Sequence, residues 1–185
     1  MVKHAAYFTI HGRLNRKRFI KRSLFLGAVV FLLSFLTLAL LGLSPADLVR
    51  EEAQYELMLV LGPVGALCML YGLSMSIQRW HDLNVSTMMI LGTVLCMLDP
   101  YIQMLLGVGG GSMLQACGTL LDLAVYIPLF FFRGTAGANC YGEDLLAEPG
   151  MELQAAKPAK KPVWYTLVVL VMGLYAVSVV LTIVS

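Results

Sequence analysis

Charge is scarce in this chain: 13% of its 185 residues are Asp, Glu, Lys or Arg, about half the usual share in a soluble domain. With 59% of the residues hydrophobic, that scarcity excludes an ordinary soluble domain and points to an integral membrane protein. Cysteine and histidine are few, four and three residues. The four cysteines, Cys68, Cys96, Cys117 and Cys140, stand singly with no CxxC pair, so packing is their default role and no disulfide framework or paired metal site is implied. The three histidines offer no HExxH and no i, i+4 pair, which excludes the usual zinc signatures. The glycines after the fourth apolar run lack a Gly-Lys-Ser/Thr ending and follow a helix, so no phosphate loop is expected. A net charge of +2 is too small to suggest nucleic-acid binding. These absences leave an expectation of no metal, no cofactor and no nucleic-acid partner.

What the chain does have is long apolar runs. Crossing hydrocarbon takes roughly 20 apolar residues, and a spanning segment must satisfy its own backbone hydrogen bonds, so such runs read as helices. Residues 23–43, 57–77 and 163–184 qualify without strain, and 86–106 and 113–132 each qualify with one carboxylate, Asp99 and Asp122. The expected fold is an all-α polytopic transmembrane helical bundle of four core helices plus a fifth C-terminal one. Its expected parts are a membrane domain over 1–144 with a cytoplasmic N-terminal segment, a polar linker over 145–162, and the fifth helix over 163–185.

Twelve of the 13 Lys and Arg residues fall on one side of this arrangement, against Arg50 alone on the other. Because cytoplasmic loops retain Lys and Arg, the N-terminus is expected in the cytoplasm and the C-terminus outside. Asp47, Glu51, Glu52 and Glu56 share the external loop with Arg50. The length of the first run and its basic lead favour a retained anchor over a cleaved signal. The stretch from Gly12 to Phe19 interleaves apolar and basic residues, as a segment lying in the headgroup layer would, with Phe8, Phe19 and Ile20 dipping inward. On the second run Gly62, Ala66, Gly72 and Ser76 form pairs four apart, suited to close helix contact, and Pro63 is expected to bend it. Trp164 and Tyr165 mark the interface where the fifth helix enters.

Two acids stand out. Asp99-Pro100 has the form of a helix start, an N-cap followed by proline, which would end the third helix near Leu98 and put Asp99 at the outer interface; the alternative is a buried functional acid. Asp122 lies about ten residues from either end of its run, near the midplane, with no Lys or Arg in any run to pair with it. It is expected to bond Tyr126 or a group on helix two or three. Interhelical glue and a proton relay are its two readings.

Three segments are more specific than the rest, and all fall at the basic side: FTIHGRLNRKRF over 8–19, QRWHDLNVS over 78–86, and RGTAGANCYGED over 133–144. Together they resemble the domain of unknown function 805 family, small bacterial inner-membrane proteins with a GRxxRxxFW start, an RRLHD segment after the second helix and a GxxGxNxYG segment after the fourth. Gly12, Arg13, Arg16 and Phe19 match the first motif; Arg79, His81 and Asp82 the second; Gly134, Gly137, Asn139, Tyr141 and Gly142 the third. Departures are Ile20 for an aromatic, Gln78 for an arginine, Trp80 for a leucine, and Thr87-Met88-Met89 where members carry a glycine and tryptophans. The resemblance implies a four-helix core and a bacterial inner membrane, but no reaction.

The candidate binding residues are therefore Arg13, Arg16, Arg79, His81, Asp82 and Asn139. Arginine forks suit phosphate or carboxylate, Asp82 could lock one in place, and His81 titrates near neutral pH. Two readings stay open: an anionic headgroup or partner site, and a structural ion-pair network. His81 and Asp82 are adjacent and do not face each other on a helix, so no dyad is expected from them alone. The expected function is non-enzymatic, serving envelope upkeep through membrane lipids or a membrane or cytoplasmic protein partner, with self-association open. The alternative is a small proton-coupled transporter using Asp122; a third reading, a membrane enzyme, needs His81 and Asp82 to meet through tertiary contact.

Overall fold

The computed structural model describes residues 8, 10–44, 46, 51–85, 88–108, 112–135, 137, 139–141 and 163–184, with the side chains of 51–56, 58 and 88 left aside. Among these residues the chain is all-helical: α1 Arg16–Leu41, α2 Glu51–Asp82, α3 Met88–Leu105, α4 Met113–Phe131 and α5 Val163–Val184. The linker expected over 145–162 and the acidic loop around Arg50 lie outside the described residues. α1, α2 from Leu59, α4 and α5 are long and apolar enough to cross a membrane, and α3 is a shorter apolar helix. The chain reads as a multi-pass membrane protein.

α4 is the hub, packed on all four other helices, while α1 lies at the edge against α2 and α4. The core that α4 organises contains Leu114, Leu121, Val125 and Leu129, each at most 1% exposed. Phe31, Phe35, Leu59, Leu70 and Leu170 point outward, as expected where lipid tails replace water as the solvent of the outer face.

The ends of the helices follow from local chemistry. Asn15 caps α1 by accepting from the Arg18 amide at 2.9 Å, and Ser112 caps α4 by accepting from the Gln115 amide at 3.1 Å. α2 closes through Asn84 at φ 55°, a left-handed conformation that asparagine tolerates. The Val85 amide then reaches back to the Trp80 carbonyl at 3.2 Å.

Three local expectations change. The basic stretch from Gly12 does not form a separate surface segment: helix begins at Arg16 and runs straight into the span, Leu14 and Phe19 are buried in the core, and Phe19 meets Phe130 edge-on at 5.1 Å. Of the small-residue pairs on α2, only Gly72 and Ser76 are packed; a Cβ on Gly72 would touch Met97 and Leu26, whereas one on Gly62 would meet nothing within 4 Å among the described residues. Finally, α3 does not stop at Leu98 but continues through Pro100 to Leu105. Asp99 is not a cap. It is 5% exposed and accepts from the Tyr175 hydroxyl of α5 at 2.7 Å and from Gln103 Nε2 at 2.6 Å. The cap reading fails because the helix runs on through Pro100, so Asp99 lies inside α3 and its oxygens accept from Gln103 one turn on and from Tyr175 of α5 instead of from a helix-start amide.

Candidate functional site

At the basic end of the bundle the three motif segments meet around one carboxylate. Asp82, the last residue of α2, is 4% exposed and lies between two guanidiniums, Arg13 at 2% and Arg79 at 0%. Arg13 donates to Asp82 Oδ1 from Nε at 3.2 Å and from a terminal nitrogen at 3.0 Å, while Arg79, one turn before Asp82 on the same helix, pairs with Oδ2. Two buried cations thus share one buried anion, leaving a formal surplus of one positive charge. Coulomb attraction alone rarely compensates such burial, so the remaining donors need acceptors.

Backbone carbonyls supply them. Arg13 also donates to the carbonyls of Gly137 at 2.7 Å and Thr135 at 2.5 Å. Arg79 donates to the carbonyls of Leu129 at 3.0 Å and Phe132, and Arg16 to that of Phe131 at 3.2 Å. Leu129 and Phe131 lie in the last turn of α4 and Phe132 is its C-cap, where helix carbonyls lack partners and the dipole is negative. By its sequence, Arg133-Gly134 reads as a basic last turn followed by a helix stop, but α4 ends at Phe131, before both, and has no basic residue in its last turn, so arginines from α1 and α2 complete it instead.

Gly134 serves another purpose than stopping the helix. A Cβ built on it would collide with the Asp82 carboxylate, so only glycine lets this backbone pass. The next residue, Thr135, closes the contact, donating from its amide at 2.8 Å and its hydroxyl at 2.6 Å to the Asp82 carbonyl. Thr135 was not among the sequence candidates; its one signal was its place inside RGTAG.

His81 and Asn139 extend the network. Asn139 donates to the His81 carbonyl at 2.8 Å and accepts from the Tyr141 amide at 2.9 Å. This holds the Tyr141 ring flat on the His81 ring, 4.0 Å between centroids and 8° between planes. The Tyr141 hydroxyl reaches the Val85 carbonyl at 3.2 Å, and His81 Nδ1 lies 3.3 Å from the Gly12 carbonyl. The Leu14 amide completes the tie by donating to the Gln78 carbonyl at 3.0 Å. Five of the six sequence candidates, Arg13, Arg79, His81, Asp82 and Asn139, thus belong to one connected set. Arg16 stands at its rim with an exposed side chain, and Gly142 lies outside the described residues.

Asp122 is elsewhere, in the middle of α4. It is half-buried and close enough to Cys96 on α3 to act on it electrostatically. No group of three or more potential metal ligands occurs among the described residues. The connected set can do one thing well, which is to pin the N-terminal segment, the end of α2 and the end of α4 to one another. Its arginines already hold acceptors, so any ligand must be met by the basic residues around them.

The family described as "Protein of unknown function (DUF805)" matches residues 7–143. No curated protein and no solved structure matches the chain.

Proposed function

We propose that this chain, which belongs to the DUF805 family, is a non-enzymatic protein of a bacterial inner membrane whose basic end faces the cytoplasm and associates with anionic lipid headgroups in the upkeep of the envelope. One observation carries the reading. The buried Arg13–Asp82–Arg79 set fixes the start of α1, and the first turns of that helix then present Arg16, Lys17, Arg18 and Lys21, the last three with exposed side chains like that of Arg16. Each such cation near an anionic surface contributes about 1 kcal/mol. In this reading Arg13, Arg79, Asp82 and Asn139 act as the clamp behind the binding surface, and Arg16 is the member of the candidate set that meets the headgroups. The concentration of 12 of 13 basic residues toward this side supports the orientation.

The test is native mass spectrometry of purified full-length protein incubated with phosphatidylglycerol or phosphatidylcholine. Retention of the anionic lipid is expected to exceed that of the zwitterionic one and to weaken with salt. It should fall about ten-fold or more when Arg16, Lys17, Arg18 and Lys21 are all changed to Gln. Equal retention of the two lipids by the wild type would overturn the reading in favour of a protein partner.

A second reading, proton-coupled transport, draws support from the two acids within the helical bundle, Asp122 on α4 and Asp99 on α3, both close enough to Cys96 to act on it electrostatically. In vesicles carrying an imposed pH gradient, this reading expects dissipation by the wild type and none by Asp122→Asn. Proton flux that survives the substitution removes it.

A further inference from the structure

Beside the clamp, on the other face of α1, an open cavity of about 570 Å³ is lined by Phe8, Arg18, Lys21, Arg22, Phe25 and Tyr71. Its volume is within the range of ligand sites, about 300–1,000 Å³. Four of the six lining residues come from α1 at positions i, i+3, i+4 and i+7, which is one stripe of a helix. Along that stripe the chemistry changes with depth. Arg18, Lys21 and Arg22 occupy the first two turns of α1, and Phe25 stands about one turn further into the bundle. Tyr71 of α2 forms the opposite wall, and Phe8 leans on it with ring centroids 5.5 Å apart and 52° between planes. No carboxylate is among the described residues that line the cavity.

We infer that this cavity is a site for one anionic phospholipid, with its phosphate among Arg18, Lys21 and Arg22 and the start of an acyl chain along Phe25 and Tyr71. The inference rests on the lipid reading above and narrows it from a charged surface to a defined place. Charge complementarity selects an anionic head, and the order of the stripe sets its direction: cations at the level of the headgroups, aromatic rings below them. A soluble phosphate ester would use only the upper half. A lipid uses both, and its chain lies parallel to α1, whose outer face is already apolar at Leu24, Phe31 and Phe35. Phe8 and Tyr71 then act as a side wall that keeps the first methylenes of the chain against the helix.

The experiment compares bound phosphatidylglycerol on full-length wild type, Arg18→Ala/Lys21→Ala, Phe25→Ala, and two controls away from α1 with exposed side chains, Arg133→Ala and Leu170→Ala. One tightly retained lipid per chain is expected. It should be lost about ten-fold or more in Arg18→Ala/Lys21→Ala and several-fold, about five-fold, in Phe25→Ala, with less than a two-fold change, roughly, in either control. Glycerol phosphate, which has no acyl chain, should fail to displace the lipid. As an independent readout, the fluorescence of Phe25→Trp should be quenched more by phosphatidylglycerol with brominated chains than by brominated phosphatidylcholine at the same low mole fraction. If anionic lipid is preferred but Arg133→Ala weakens it as much as the cavity substitutions do and Phe25→Ala leaves it unchanged, the defined site is wrong and the diffuse surface stands. If glycerol phosphate competes equally, the chain plays no part and the site is wrong in that respect too. If the wild type shows no preference for the anionic lipid, both readings go.

Discussion

Asp82→Asn is expected to be the most damaging single substitution at the basic end of the bundle, lowering stability by about 3–5 kcal/mol, the usual cost of leaving a buried charge without its partner. Asparagine keeps the shape of the side chain, so it fits the space that Gly134 leaves open, and the loss isolates the charge. What remains is a pair of guanidiniums, each at most 2% exposed, facing an amide where a shared carboxylate stood. The carbonyls of Gly137, Thr135, Leu129 and Phe132 still accept from them, but partial charges do not neutralise two full ones. Removing one cation as well should recover part of the loss, so Asp82→Asn/Arg13→Gln is expected to be less than additive, with a coupling of about 1–3 kcal/mol. Arg79→Gln should recover less, because Arg79 also satisfies the end of α4. The midpoint of thermal unfolding, followed by size-exclusion chromatography of the detergent-solubilised protein, measures each. An Asp82→Asn protein within about 1 kcal/mol of wild type would mean that the carbonyls suffice and that the carboxylate is held for a ligand.

The residues of this clamp were legible in the sequence; their division of labour was not. Basic and acidic residues in a chain so poor in charge draw attention wherever they occur, and the motifs put Arg13, Arg79, Asp82 and Asn139 together on one side. Whether such a group binds something or binds itself depends on how many donors are already satisfied, and the acceptors here are largely main-chain carbonyls at the end of α4, which no side-chain pattern announces. Gly134 shows the same limit. A glycine soon after an apolar run reads as a helix stop, yet the helix ends earlier, and the reason for glycine is a carboxylate arriving from residue 82. The spans were legible because hydrocarbon imposes length and polarity on them directly. The course of α3 was not, since Asp-Pro serves equally as a cap and as a buried acid in a helix that runs on, and the deciding group, Tyr175, is 76 residues from Asp99.

That distant pairing makes Gly118→Ala the second substitution with a large expected effect. An added Cβ at Gly118 would sit 2.5 Å from Asp99 Oδ2 and 2.8 Å from its Cγ, well inside van der Waals contact. The carboxylate has little freedom to retreat, because the Tyr175 hydroxyl holds one oxygen and Gln103 the other. Either α4 moves away from α3 or the bonds to α5 and Gln103 stretch, and overpacking of this kind costs about 1–3 kcal/mol. Since α4 is the helix that all the others pack on, the shift should reach α5 as well. The cause is isolated by shortening the acid. Asp99→Ala alone leaves the buried Tyr175 hydroxyl without this acceptor, at a cost of about 1–3 kcal/mol, but in the Gly118→Ala/Asp99→Ala protein the new methyl enters space that the carboxylate has vacated. The double variant should therefore be no less stable than Asp99→Ala alone, which in a double-mutant cycle is a coupling as large as the whole effect of Gly118→Ala. Strict additivity in the same unfolding assay would show that the glycine is required by some other feature of α4. The expected result means that an acid within the region matched by the family, 7–143, is held by a glycine inside that region and by a tyrosine on a helix beyond it, so α5 is built into the polar centre of the bundle and not merely laid against its side.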